Sequence, residues 1–184
     1  MPPSSDEELM LAYAGGDAGA FDALYARHKG PLFRFVLRSV KARGEAEELF
    51  QEIWMRVIES RARYVVTAKF TTWMYTVAHH RLVDHWRARG LTLVSLDDEE
   101  GNVPEPAAGP NAEPHRVAEA RQSLARLAEA IAALPAVQRE AFLLHQEGGL
   151  TAAEIGAATG TNEEAAKSRL RYAMDKLRKA MGDD

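Results

Sequence analysis

Apolar residues recur along this chain at helical spacing, in blocks punctuated by glycine and proline, and no stretch alternates long enough to read as a strand. The pattern predicts an all-α fold. SSDEELMLAYAGG reads as a short helix stopped at Gly15-Gly16. Asp17 can cap the next helix, GDAGAFDALYARHKG, whose Phe21, Leu24 and Tyr25 share a face. Gly30-Pro31 is expected to interrupt or kink it, with PLFRFVLRSVKARG following to Gly44. EAEELFQEIWMRVIESRARY then places Leu49, Phe50, Ile53, Trp54, Val57 and Ile58 in one stripe, predicted to be core. Its other face carries Glu47, Glu48, Gln51, Glu52, Met55, Arg56 and Glu59. Periodicity does not say whether that face meets solvent or a partner. After VVTAK comes a further helix, FTTWMYTVAHHRLVDHWRARG.

The second half repeats the logic with clearer caps. RVAEARQSLARLAEAIAAL is amphipathic up to Pro135, and PAVQREAFLLHQEGG begins on that proline and ends at Gly148-Gly149. Thr151 with Glu154 three residues on is a capping box for TAAEIGAATG. Gly160-Thr161 makes a turn, and NEEAAKSRLRYAMDKLRKAM forms the last helix, capped by Thr161 or Asn162. Ala165, Ala166, Leu170 and Met174 are expected to pack inward. A short helix, a glycine turn and a longer basic helix is a helix-turn-helix arrangement. Lys167, Arg169 and Arg171 stand near its start, where such a helix meets phosphates and base edges.

Leu96 to Pro114 holds four prolines, two glycines and a cluster of acids, with little to bury. It predicts an extended, flexible linker. The chain is thus expected to hold two small helical domains, residues 5–90 and 116–181, joined by an acidic, proline-rich linker over 91–115. No apolar run approaches the ~18 residues of a membrane span, and MPPSSDEELM has no signal-peptide core. No membrane insertion and a cytoplasmic location are expected. The chain has no cysteine, hence no disulfide framework and no thiolate zinc site.

The formal net charge of -4 argues against nucleic-acid binding until its distribution is considered. Arg27 to Gly90 carries thirteen basic and six acidic residues, and Asn162 to Met181 six and three. Met1 to Ala26 has five acids, Leu91 to His115 six, and neither has a Lys or Arg. Two basic segments flank an acidic one.

The helix from Phe70 to Gly90 holds two of the three tryptophans and three of the six histidines. As a metal site it would use His79, His80, Asp84 and His85. At about 100° per residue His80 and Asp84 share a side, while His79 and His85 point elsewhere, which leaves two ligands where zinc takes three or four. As a core helix it would bury Met74, Val77, Ala78, Leu82 and Val83. As a nucleic-acid surface it would set Arg81, Arg87 and Arg89 among aromatics, a mixture that suits single strands.

In order along the chain, these segments resemble the extracytoplasmic-function (ECF) class of bacterial RNA polymerase sigma factors. GDAGAFDALYARHKGPLFRFV resembles the first conserved-region helix of that family, and EAEELFQEIWMRVIE its polymerase-binding segment. TTWMYTVAHHRLVDHWR is similar to the segment that melts and reads the −10 promoter element. LPAVQREAFLLHQEGGLTAAEIGAATG and KSRLRYAMDKLR are similar to the −35-binding domain. The resemblance implies a non-enzymatic initiation subunit with no catalytic residue, cofactor or metal, whose partners are core RNA polymerase, promoter DNA and an anti-sigma factor. It implies polymerase contacts by Glu48, Leu49, Gln51, Glu52, Met55 and Arg56, and −10 contacts by Arg63, Lys69, Trp73, Tyr75, His80, Arg81 and Arg87. The loop from Ala62 to Lys69 would capture a flipped base. Contacts to the −35 element would come from Thr151, Asn162, Glu163, Lys167, Ser168, Arg169 and Arg171. The sequence departs from the family pattern at His80, where Asn is common, at Glu163 and Glu164, where small residues are usual, and at Thr159 and Thr161, where apolar ones are. The competing functions are a stand-alone helix-turn-helix regulator, which would have no use for the N-terminal motifs, and a metal-dependent hydrolase built on the histidines.

Overall fold

Ser5 opens the first helix by a reciprocal cap: its Oγ accepts from the Glu8 N–H, and the Glu8 carboxylate accepts from the Ser5 N–H. In the computed structural model, which describes residues 4–91 and 115–182, this helix, α1, spans Asp6–Ala14. Asp17 caps α2, Ala18–Val40, by accepting from the Ala20 N–H. Of the two outcomes expected at Gly30-Pro31, the interruption does not occur: α2 continues through Pro31. A proline inside a helix costs about 3 kcal/mol. Leu24 before it and Leu32, Phe35 and Val36 after it are all fully buried, at about 1.5–3 kcal/mol each. Burial outweighs the proline.

Gly44 does not end this segment either. The chain turns at Lys41, whose φ of 68° is uncommon for a non-glycine residue, and α3, Arg43–Ser60, takes Gly44 into its first turn. A 3₁₀ turn, Arg61–Arg63, and a loop over 64–69 lead to α4, Phe70–Ala88. Then come α5, His115–Ala133, and α6, Ala136–Gly148, which Gly149 ends in the left-handed region. The Thr151–Glu154 capping box starts α7, Ala152–Thr159. Asn162 rather than Thr161 caps α8, Glu163–Met181, by accepting from the Ala165 N–H. The described residues form eight α-helices and no strand. Residues 92–114, most of the predicted linker, lie outside them.

In the N-terminal half α2 packs on α1 and α3, and α4 closes the group; in the C-terminal half α8 packs on α5, α6 and α7. Trp54 of α3 meets Phe21 and Tyr25 of α2 edge-on, with centroids 5.8 and 5.1 Å apart. The orientation of the two halves, open in the sequence, is closed in the structure. α6 lies against α2 and α7 against α4, and one apolar core runs through both halves.

Candidate nucleic-acid interface

The aromatic helix α4 starts without a side-chain cap of its own. Glu7 of α1 supplies one, its Oε1 accepting from the Phe70 N–H at 2.6 Å. Phe70, Met74, Tyr75, Ala78, His79, Leu82 and Trp86 face inward, while His80, Asp84 and Arg87 are exposed. Trp73 is half-buried, with its ring against Tyr64 and Phe70 at 5.0 and 5.8 Å. Val65 and Val66, in the loop just before α4, are among the most exposed apolar side chains of the N-terminal half. Arg63 is exposed beside them.

Two expected contacts are buried. Tyr75 is 1% exposed, packed edge-on against Phe35 and covered by α6, where a Cβ on Gly148 would stand 2.8 Å from its ring. Burial, with the Glu147 carboxylate close by, pushes the Tyr75 hydroxyl well above its usual pKa. That hydroxyl has no hydrogen-bond partner among the described residues, an omission that costs about 1–3 kcal/mol. Tyr75 does not present its ring to DNA in the closed arrangement. The other is Leu49, a polymerase contact by the resemblance but 2% exposed and part of the core. Its place in the apolar stripe decides its orientation.

The rest of that α3 face is outward. Glu48, Gln51 and Met55 are exposed, Met55 at 52%. Glu52 and Arg56 pair across to α4: Glu52 accepts from Arg81, and the Arg56 guanidinium lies 3.3 Å from Asp84. The α3 face is therefore tied directly to the helix with the aromatic cluster.

The histidines of α4 go separate ways. His79 Nδ1 lies 2.6 Å from Glu140 Oε1 in a buried pair, His85 is 3.6 Å from Glu45, and His80 is exposed. Asp84 is engaged by Arg56. Among the described residues no three His, Asp or Glu side chains gather in a metal-ligating group.

In the C-terminal half, Gly160 makes the turn at φ 71°. A Cβ on Gly156 would come within 2.9 Å of the Thr161 carbonyl oxygen, so the two helices approach this closely only over glycine. Thr151 is exposed, its Oγ1 accepting from the Glu154 N–H. Asn162, Glu163, Lys167 and Arg171 are exposed; Ser168 and Arg169 are half-buried. The Lys167 ammonium sits 2.9 Å from Glu163 and 3.2 Å from Glu164, and these hydrogen bonds hold its pKa above the usual lysine value. Arg171 lies over the Tyr172 ring at 5.1 Å. Ala166 is buried as expected and Ala165 and Leu170 are half-buried, but Met174 is 37% exposed. It points away from the seam where Ala173 and Leu177 pack.

Sequence reasoning missed two residues here. Gly156 left a faint signal, since a glycine inside a helix costs about 1 kcal/mol against alanine and so asks for a packing reason. Glu140 left none, because its partner His79 is 61 residues away.

Among known proteins, the Sigma-70 region 2 family matches residues 24–92, and the Sigma-70 region 4 family matches residues 124–177. The chain is 31% identical to the RNA polymerase sigma factor CarQ of Myxococcus xanthus over 95% of its length and 96% of that protein's. It is 32% identical to the ECF RNA polymerase sigma factor RpoE of Cereibacter sphaeroides, covering 90% and 88%. Two solved structures share the fold. CnrH, in complex with the cytosolic domain of CnrY, has a TM-score of 0.70 at 20% identity over 98% of this chain and 99% of that one. The sigma factor RpoE of Bartonella quintana, in complex with the anti-sigma factor NepR, has a TM-score of 0.67 at 22% identity over 89% and 98%.

Proposed function

We infer a division of labour along this chain, which belongs to the extracytoplasmic-function class of RNA polymerase sigma factors. It directs core polymerase to specific promoters at initiation. What supports this over a stand-alone regulator is that one chain matches both regions, in order. A helix-turn-helix regulator needs only the second. Members of the family are initiation factors rather than enzymes, and we read this chain as acting in the same way, in the cytoplasm with polymerase. No helix among the described residues is long and apolar enough to cross a membrane. The Bartonella relative was solved with an anti-sigma factor, and a partner of that kind regulates this chain in our reading.

The polymerase docks on the outer face of α3, through Glu48, Gln51, Met55, Glu52 and Arg56, with Leu49 supporting the face from beneath. Arg63, Lys69, Trp73, His80, Arg81 and Arg87 engage the opened −10 strand: cations track its backbone and Trp73 stacks on a base. Tyr75 joins them only if α6 moves away. Residues Asn162, Glu163, Lys167, Ser168, Arg169 and Arg171 of the helix-turn-helix enter the major groove of the −35 element, with Thr151 at its rim. Glu163 suits a cytosine, whose N4 amino group donates to a carboxylate.

Paired substitutions on α3 test the docking face. Met55→Ala is expected to weaken core-polymerase binding about tenfold, ~1.4 kcal/mol, and leave the melting temperature unchanged. Leu49→Ala should lower stability by about 2–5 kcal/mol. Fluorescence titration against core polymerase and a thermal melt read the two. Core affinity untouched by Met55→Ala would move the docking face elsewhere.

A further inference from the structure

The face of α2 and α4 that the C-terminal half covers is basic, and glutamates meet its cations. Arg34 and Arg38, one turn apart on α2, both reach Glu147, Arg34 Nε to Oε2 at 2.8 Å and Arg38 Nη1 to Oε1 at 3.2 Å. Lys69, at the start of α4, reaches Glu154 Oε1 at 2.8 Å. That contact raises the lysine's pKa and lowers the glutamate's. His79 reaches Glu140. The three glutamates stand seven residues apart, and Glu140 and Glu147 lie about two turns apart along α6. Burial is one-sided: the Glu147 side chain is 7% exposed, against 50% and 42% for Arg34 and Arg38.

Two arginines forking onto one carboxylate is also the geometry that holds a phosphate. Lys69 lies one helical turn before Trp73 on the same side of α4, so one cation of this face adjoins the stacking ring. Closure also has opposing features. It brings Lys41 near Arg139, where burial and that like charge lower the lysine's pKa, and it leaves the Tyr75 hydroxyl without a partner among the described residues. Close approach depends on Gly148 having no side chain.

We propose that this covered face is a second single-stranded DNA surface, on which Arg34 and Arg38 hold backbone phosphates of the strand whose base meets Trp73, and that Glu147 and Glu154 occupy those places in the closed chain. The proposal rests on the reading of α4 as the −10 helix and extends it to two arginines of α2 outside the −10 set. The acidic stripe then competes with the nucleic acid, and the closed chain binds single strands weakly until α6 and α7 lift.

The test uses the full chain and a fluorescein-labelled oligothymidine, followed by anisotropy over a salt series, with small-angle scattering for opening and far-UV dichroism for folding. Glu147→Gln with Glu154→Gln should expand the protein and tighten oligothymidine binding about tenfold. Gly148→Ala, which presses on Tyr75 and the end of Leu150 without altering a charge, should shift both readouts the same way. Adding Arg34→Gln and Arg38→Gln to the glutamate variant should reverse the gain and flatten the salt slope by about 1.4, ~0.7 for each phosphate no longer neutralised. An opened variant indifferent to the two arginine substitutions would overturn the proposal. So would a glutamate variant that opens without gaining affinity, or a polyglutamate peptide that binds the opened face as tightly as the oligonucleotide. Core-polymerase binding, measured in parallel, is expected to be unchanged throughout; its failure in the parent chain would instead count against the sigma reading.

Discussion

Phe35→Ala should lower the free energy of unfolding by about 3–5 kcal/mol, measured by urea denaturation. Phe35 is fully buried and stands edge-on to Tyr75, with ring centroids 5.3 Å apart. It lies one turn beyond Pro31, so its place in the core depends on α2 continuing through the proline. Deleting the ring removes the burial that offsets that proline and opens a cavity beside the helix carrying the aromatic cluster. A loss below about 1 kcal/mol would mean that the second half of α2 does not pack as described.

The other large effects separate the two proposed DNA surfaces. Arg169→Ala should weaken binding to duplex −35 DNA by roughly tenfold or more, given the ~1–3 kcal/mol carried by a good arginine–base contact. Promoter opening should then fall only as far as occupancy falls. Trp73→Ala should leave duplex binding as it was and reduce opening of the −10 region, by the ~1–3 kcal/mol of one stacked base. Trp73 is half-buried against Tyr64 and Phe70, so a thermal melt must show that the variant remains folded. Gel shift on −35 duplex at fixed salt and permanganate footprinting of the −10 thymines read the pair. If both substitutions impaired only duplex binding, the assignment of α4 to the opened strand would fail.

What the sequence disclosed and what it hid divide along physical lines. Caps are local chemistry, so Asp17, Thr151 with Glu154, and the glycines at 149 and 160 could be read directly. Stripes are nearly as local: Ile53, Trp54 and Val57 face inward as their spacing predicts. Neither Pro31 nor Gly44 ends a helix, because helix breakers act through a few kilocalories, which a large buried face overrides. His79 and His80 look alike in sequence, yet about 100° of helix sends one to Glu140 and leaves the other in solvent. Tyr75 belonged to an aromatic cluster that suggested exposure. Its burial depends on α6, more than sixty residues away, and no periodicity within α4 reports that. His80 is exposed on the outer side of α4, with its ring centroid 5.8 Å from that of His79.

At the centre stands the claim that this chain gives polymerase a promoter. Its most direct test is run-off transcription with purified chain and core RNA polymerase on a library of promoter fragments. Discrete transcripts are expected from a subset of fragments that core alone ignores, lost together with the −35 or −10 sequence of those fragments. A chain that neither binds core polymerase at low salt nor yields any start that core alone does not make would contradict it.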